Sequence, residues 1–181
     1  MTTDEFTMPD GTHIKFTKRT RNPAQEGFEI EMTVPPKATA TPPHIHPTQI
    51  DEFNVVSGAV EVLDNGTWHK VSAGETHVVR PGSVHTYRNR FDAPCVIRNV
   101  HDPADSFQEY LDRLGLLIRE RKITAMVHPA TLVYMAILFN EHKDAMVLHS
   151  PILRLLFDSV ATAARTAGVK VPRVPTATGG A

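Results

Sequence analysis

Two histidines one residue apart, His44 and His46, are followed by Asp51 and, further on, by His85 after a Pro81-Gly82 turn. In an extended segment residues i and i+2 point to the same face, so the imidazoles of His44-Ile45-His46 converge. A third imidazole and a carboxylate complete a donor set that first-row divalent transition metals favour. Such a set leaves coordination positions open for substrate, water or dioxygen. The alternative is that these are surface or hydrogen-bonding histidines, since the chain has ten.

These side chains need strands to hold them, and the first hundred residues supply the pattern. Short β-rich runs separated by Gly, Pro and Asn turns predict strands near 12–18, 27–34, 50–57, 59–63, 67–71, 76–80, 84–90 and 94–101. Asp64-Asn65-Gly66 is a strong hairpin signal because Asn-Gly tolerates positive φ. The proline-rich stretch Pro35 to Pro43 reads as an extended connector rather than a central strand. After Asp102-Pro103 the periodicity changes to three and four. One stripe runs through Phe107, Tyr110, Leu111, Leu114, Leu117 and Ile118, and a second through Leu132, Met135, Ala136 and Phe139. A third helix opens on Ser150-Pro151, with Ile152, Leu155, Leu156, Ser159 and Val160 as its stripe. These stripes are expected to pack on the sheet or on a second subunit. The expected organisation is a barrel over 1–102, helices over 103–170 and a disordered tail over 171–181.

Residues 44–58, HIHPTQIDEFNVVSG, and 74–89, GETHVVRPGSVHTYRN, resemble the two signature motifs of the cupin family. The first motif reads His-any-His, a gap, an acidic residue, six residues and Gly. Asp51 and Gly58 keep that register, with Asp where the family usually has Glu. The second reads Gly, a strand, a Pro/Gly turn, His and, four places on, Asn. Gly74, Pro81-Gly82, His85 and Asn89 fit it, with the proline one place late.

The resemblance implies a mainly β protein, a cupin-type antiparallel β-barrel (jelly roll) followed by C-terminal helices. It also implies one divalent transition-metal ion inside one end, held by His44, His46, Asp51 and His85. Iron is the first expectation, with Zn, Ni, Mn or Co as alternatives. Asp is one methylene shorter than Glu. Asp51 therefore binds directly if its strand moves inward, binds through water, or orients a histidine; direct ligation is the favoured expectation. Glu52 points to the opposite face.

Around that centre, Gln49 shares the face of Asp51 and is a candidate polar contact to substrate, or else a solvated loop residue. Tyr87 and Asn89 share the face of His85. Tyr87 can hydrogen-bond a substrate oxygen or an anionic intermediate, or simply fill the core. Gln49 and Tyr87 are the catalytic candidates, and Phe53, Val55 and Asn89 join them as substrate-binding candidates. Phe91 is expected in the apolar wall. His77 is expected in the core and His69 at the surface; His101, His128, His142 and His149 receive no role.

Composition sets the limits. The chain has 181 residues, 41% hydrophobic residues and a net charge of −1, so no strong field recruits nucleic acid or an anionic membrane. The single cysteine, Cys95, excludes an internal disulfide and is expected as a buried apolar residue. No leader-like start and no run of roughly 20 apolar residues are present, so a cytoplasmic protein is expected. The leading reading is a mononuclear metal enzyme acting on a small, partly apolar molecule, most naturally an Fe(II) dioxygenase or oxygenase. The other readings are a metal-dependent isomerase, lyase or decarboxylase, a non-catalytic binding protein, and a barrel whose metal site has decayed. A homodimer is expected, with the apolar helices covering the barrel or a partner.

Overall fold

A computed structural model describes residues 4–38 and 42–174. The strands are β1 (Glu5–Thr7), β2 (His13–Lys18), β3 (Phe28–Val34), β4 (His44–Ile45), β5 (Ile50–Ser57), β6 (Ala59–Asp64), β7 (Thr67–Ser72), β8 (Thr76–Val79), β9 (Val84–Arg88), β10 (Cys95–Asp102) and β11 (Val147–Leu148). The helices are α1 (Phe107–Arg119), α2 (Pro129–Glu141) and α3 (Pro151–Thr166). Every strand expected from the sequence forms, with ends shifted by two residues or fewer.

Two antiparallel sheets face each other, one in the order β1-β2-β3-β10-β5-β8 and the other β11-β4-β9-β6-β7. Alternation decides which side is buried: along β3 every second residue from Phe28 to Val34 is buried, and along β10 every second residue from Cys95 to His101. Phe28, Val34, Val60, Val62, Cys95 and Ile97 are fully buried between the sheets. Burial pushes the Cys95 thiol up to about 11, so it stays protonated and acts as a small apolar residue. The β6–β7 hairpin turns at Asn65 (φ +46) and Gly66 (φ +89), the two positive φ values its Asn-Gly sequence announces.

The segment after residue 102 is knit into the barrel. Its strand β11 pairs with β4, placing Leu148 opposite His44. Phe107, Tyr110, Leu111 and Leu114 of α1 belong to the same buried cluster as the sheet residues. Helix α2 is buried on two sides: Met135, Leu138 and Phe139 join the barrel core, while Ala136 and Ile137 pack on Ala161 and Ala164 of α3. The expected stripe through Leu132 is therefore rotated, and Leu132 is exposed. In α3 only Val160 of the expected stripe packs within the chain. Its packed side carries Phe157, Val160, Ala161 and Ala164, whereas Ile152, Leu155 and Leu156 are 78%, 70% and 53% exposed. Val171–Val174 form neither helix nor strand, and Arg113 Nε donates to Pro172 O at 3.1 Å. The rest of the tail, 175–181, lies outside the described residues, as do 1–3 and 39–41 within the proline-rich connector.

Two stability outcomes follow from this packing. Gly58, between β5 and β6, has φ +74, and a Cβ there would run into the carbonyl oxygen of Pro94. Gly82 has φ +81 but open space around it. Urea unfolding should show Gly58→Ala destabilising by about 2–4 kcal/mol and Gly82→Ala by about 1 kcal/mol, the left-handed backbone cost alone. Equal losses would remove the close approach as the cause.

His142 is buried, and its Nε2 accepts from Arg113 Nη1 at 3.1 Å. Burial, reinforced by the Arg113 charge, pushes its pKa down to about 4. Between the unfolded value near 6.5 and that folded value the unfolded chain binds the extra proton, so stability falls as pH drops through this window. From pH 7 to pH 5 the contribution is a loss of about 2 kcal/mol. His142→Gln, which keeps an acceptor for Arg113, should lose correspondingly less over the same interval. Identical acid slopes for the two proteins would exonerate His142.

Candidate metal centre

Three imidazoles meet where β4 and β9 pair. His44 lies directly opposite His85 in the ladder, so both side chains stand on the inner face. Their ring centroids are 4.3 Å apart, and the ring of His46 is 5.1 Å from His44 and 5.0 Å from His85. Each ring is anchored through Nδ1 to a backbone carbonyl: His44 to Pro42 (3.1 Å), His46 to Ala145 (2.5 Å) and His85 to Ser83 (3.0 Å). A carbonyl only accepts, so each Nδ1 carries a proton and Nε2 is the atom each ring can offer to a metal. Nε2 of His46 is buried and makes no hydrogen bond, and Nε2 of His85, also buried, has the Asp51 carboxylate 3.3 Å away. Buried nitrogens left this way are costly unless something electrophilic meets them.

Asp51 sits on β5 beside this group and is 3% exposed. Its Oδ1 accepts from Asn99 Nδ2 at 2.5 Å, and its Oδ2 lies 3.3 Å from His85 Nε2. His101, the cross-strand neighbour of Asp51 on β10, hydrogen-bonds Asn99 Oδ1 through Nε2 at 2.8 Å. His101 Nε2 is also 3.7 Å from Asp51 Oδ1. The donor atoms form two overlapping triads that share His46: His44, His46 and His85, and His46, Asp51 and His101, each within 4.8 Å. All four residues expected as one set contribute donor atoms to these triads, and His101, given no role from the sequence, joins them. Asn99 was missed as well. The strand phase of Cys95 and Ile97 places both inward; that they meet Asp51 depends on the β5–β10 register.

Electrostatics agree with a cation site. Burial, with the neighbouring imidazoles next, pushes His44 well below the ordinary histidine value. Burial followed by His101 brings His46 down to about 3. His101 is lowered, mainly by burial. These are the neutral forms that ligate metals. Burial would raise Asp51, but His101 and His85 outweigh it and keep the carboxyl ionised. Burial would lower His85, yet the Asp51 carboxylate raises it. The carboxylate thus draws positive charge to this spot, and a divalent cation answers the same demand.

The remaining site candidates separate clearly. An apolar cavity of about 90 Å³ reaches from His44, His46, Asp51 and His101 to α1 and α2, and Phe53 and Tyr87 line it. The Tyr87 hydroxyl is pushed above its ordinary value, first by burial and then by Asp10 and Asp51, so it is a donor and not a base. Gln49 is fully buried, but its Nε2 donates to Ala104 O at 2.5 Å and it lies off the cavity wall. Asn89 serves the backbone: its Nδ2 donates to Val34 O and Ala93 O, and its Oδ1 accepts from Phe91 N. Val55 is buried in the core and Phe91 lies half-buried under Lys70; neither reaches the cavity. His77 is half-buried, bonded to Asp64 at 3.2 Å and stacked on a half-buried His69, so neither matches its expected place. His128 caps α2 and His149 is exposed.

A family model described as "Cupin domain" matches residues 30–101, the span from β3 to β10. No curated protein matches. Among solved structures, a conserved protein with a double-stranded β-helix domain from Klebsiella pneumoniae is 24% identical over 50% of this chain and 76% of its own, with a TM-score of 0.45. KdgF from a Halomonas species is 21% identical over 56% and 88%, with a TM-score of 0.49. An RmlC-like cupin from Shewanella frigidimarina is 18% identical over 56% and 85%, with a TM-score of 0.49. Residues 30–101, which lie across the two facing antiparallel sheets and carry both signature motifs in register, match a cupin domain.

Proposed function

We propose that this protein is a mononuclear metal-dependent enzyme acting on a small, largely apolar organic molecule, with Fe(II)-type oxygenase chemistry as the favoured reaction. The observation that carries the reading is the shared tautomer of His44, His46 and His85. All three Nδ1 atoms are held by carbonyls, which leaves Nε2 as the atom that each of the three buried rings can offer to a metal. His44, His46 and His85 would hold the ion, with Asp51 as the fourth donor and His101 beside it. Iron in such a site supplies Lewis acidity and one-electron chemistry with dioxygen.

The chain's own residues supply the rest. The apolar wall excludes water and strengthens every polar interaction at the imidazole end. Tyr87, held protonated, can donate to an oxygen that gains negative charge during reaction. Asn99 holds Asp51 by one oxygen and leaves the other turned toward His85. Gln49, tied to Ala104, fixes the loop that leads into β5.

Metal analysis tests this directly. Protein purified without oxygen, or reconstituted with Fe(II), should hold about one transition-metal ion per chain, and His46→Ala and His85→Ala should lose it while keeping the wild-type circular dichroism. Asp51→Ala should weaken the metal by about 10–100-fold, and unchanged affinity would take Asp51 out of the ligand set. Iron with substrate-dependent oxygen uptake supports the oxygenase. A site that takes only redox-silent Zn would move the reading to isomerase, lyase or decarboxylase chemistry. No uptake of any transition ion would leave a ligand-binding barrel.

A homodimer belongs to the same proposal, and the unpacked stripe on α3 supports it. Ile152, Leu155 and Leu156 present a contiguous apolar strip to solvent, spaced as a helix–helix seam. A second copy packed about a two-fold axis would cover the same strip on both chains. Sedimentation should give a dimer for the wild type and a monomer for the Ile152→Asp, Leu155→Asp double variant; a monomeric wild type would refute the assembly. Among the described residues no helix is long and apolar enough to cross a membrane.

A further inference from the structure

The cavity that opens from the imidazoles has an unusual wall. Five of the six methionines in the chain line it: Met8, Met32, Met126, Met135 and Met146. They come from distant parts of the sequence. Met8 and Met32 belong to the barrel side, while Met126, Met135 and Met146 belong to the segment after residue 102, outside the matched domain. Phe53, Tyr87, Phe107, Tyr110 and Phe139 fill the spaces between them.

Charge is as informative as the methionines. Among the described residues the wall holds no lysine and no arginine, and its only carboxylates are Asp10 and Asp51. Asp10 is already engaged, accepting from Thr12 N at 2.9 Å and from Thr12 Oγ1 at 3.2 Å. A phosphate would meet no counter-charge on this wall other than a metal held at the imidazole end. A sugar would bury several hydroxyls with few partners, at about 1–3 kcal/mol for each one left unmade. Size narrows the class further. A cavity of about 90 Å³ is small beside the roughly 300–1,000 Å³ of pockets for drug-sized ligands, so the guest is a small molecule.

Methionine and aromatic side chains prefer a flat, polarizable guest. Thioether sulfur on a ring edge contributes about 0.3–1.5 kcal/mol, and aromatic pairs add about 0.5–1.5 kcal/mol beyond their buried area. We infer that the cavity is a binding site for a single-ring aromatic molecule bearing one oxygen donor, its oxygen at the imidazole end and its ring against a methionine cap built by residues 107–146. The placement of the oxygen rests on the metal reading above. The fit of the ring rests on the cavity alone. Selection among rings then resides in the C-terminal segment, chiefly at Met126, which is half-buried in the α1–α2 loop.

The test uses the full chain, loaded with Zn and also as the metal-free His85→Ala variant, with 4-fluorophenol followed by fluorine NMR. Fluorophenol should bind both forms, more weakly without metal, and in each at least about tenfold tighter than cyclohexanol, whose ring is saturated. Glucose 6-phosphate should not compete in the metal-free variant. Leu114→Trp, which fills the cavity, and Met126→Trp, which narrows it from the loop, should each weaken fluorophenol by about tenfold or more. Cyclohexanol binding as well as fluorophenol, competition by glucose 6-phosphate in the metal-free variant, or full affinity in both tryptophan variants would overturn the inference. Metal uptake without fluorophenol binding would also overturn it and leave the metal centre standing. Fluorophenol binding with no metal uptake would keep the aromatic cavity and remove the metal reading.

Discussion

The hydrogen bond from His46 Nδ1 to the carbonyl of Ala145 is the contact on which the rest of the arrangement depends. It fixes the tautomer and the ring orientation of the one imidazole shared by both donor triads. It also reaches across the fold, joining a residue between β4 and β5 to the turn that follows α2. The pairing of β11 with β4 next to it makes this a two-part clamp. The C-terminal segment therefore helps define the site. A barrel ending at residue 102 would leave β4 without one neighbour and His46 without its anchor.

Hydrophobic packing explains why that clamp is stable. Helix α1 places Phe107, Tyr110, Leu111 and Leu114 against the open end of the barrel, and α2 adds Met135, Leu138 and Phe139. Phe107 also touches the site, with its ring 5.0 Å from His46 and 4.5 Å from His101. The same apolar side chains hold the helices down and keep water from the imidazoles. Desolvation is what lowers His44 and His46 into their neutral forms. Packing and metal readiness therefore have one origin.

Much of this was legible in the sequence because its signals are local. His44-Ile45-His46, Asn65-Gly66 and the spacing of Phe107, Tyr110, Leu111 and Leu114 each specify geometry within a few residues. What escaped depends on pairings between distant segments. The inward phase of Asn99 and His101 is readable along β10, but their meeting with Asp51 follows from β10 lying beside β5. β4 and β11, two residues each, exist because they pair and not because their residues favour strands. Asn89 keeps the position its motif implies, but the bend after β9 takes all of its hydrogen-bonding capacity. Leu132 was assigned by period alone, and period does not say which side of a helix finds a neighbour.

Aspartate in place of the usual glutamate acquires a physical setting from these same pairings. A carboxylate one methylene shorter lies closer to its own strand, within reach of the next strand in the sheet. Asn99, on that strand, takes one oxygen, and His101 braces the other end of the asparagine amide. The amide has little choice of orientation: its NH₂ faces Asp51 Oδ1 and the Glu52 carbonyl, and its oxygen faces His101. This chain orients Asp51 without a charged partner from outside the cluster. The cost of burying an ionised carboxylate is offset by the amide and by the histidines that surround it. Asp51, Asn99 and His101 therefore act as one unit spanning β5 and β10. Its free end is the carboxylate oxygen turned toward His85, which places, among the described residues, the only negative charge of the cluster beside the three imidazoles.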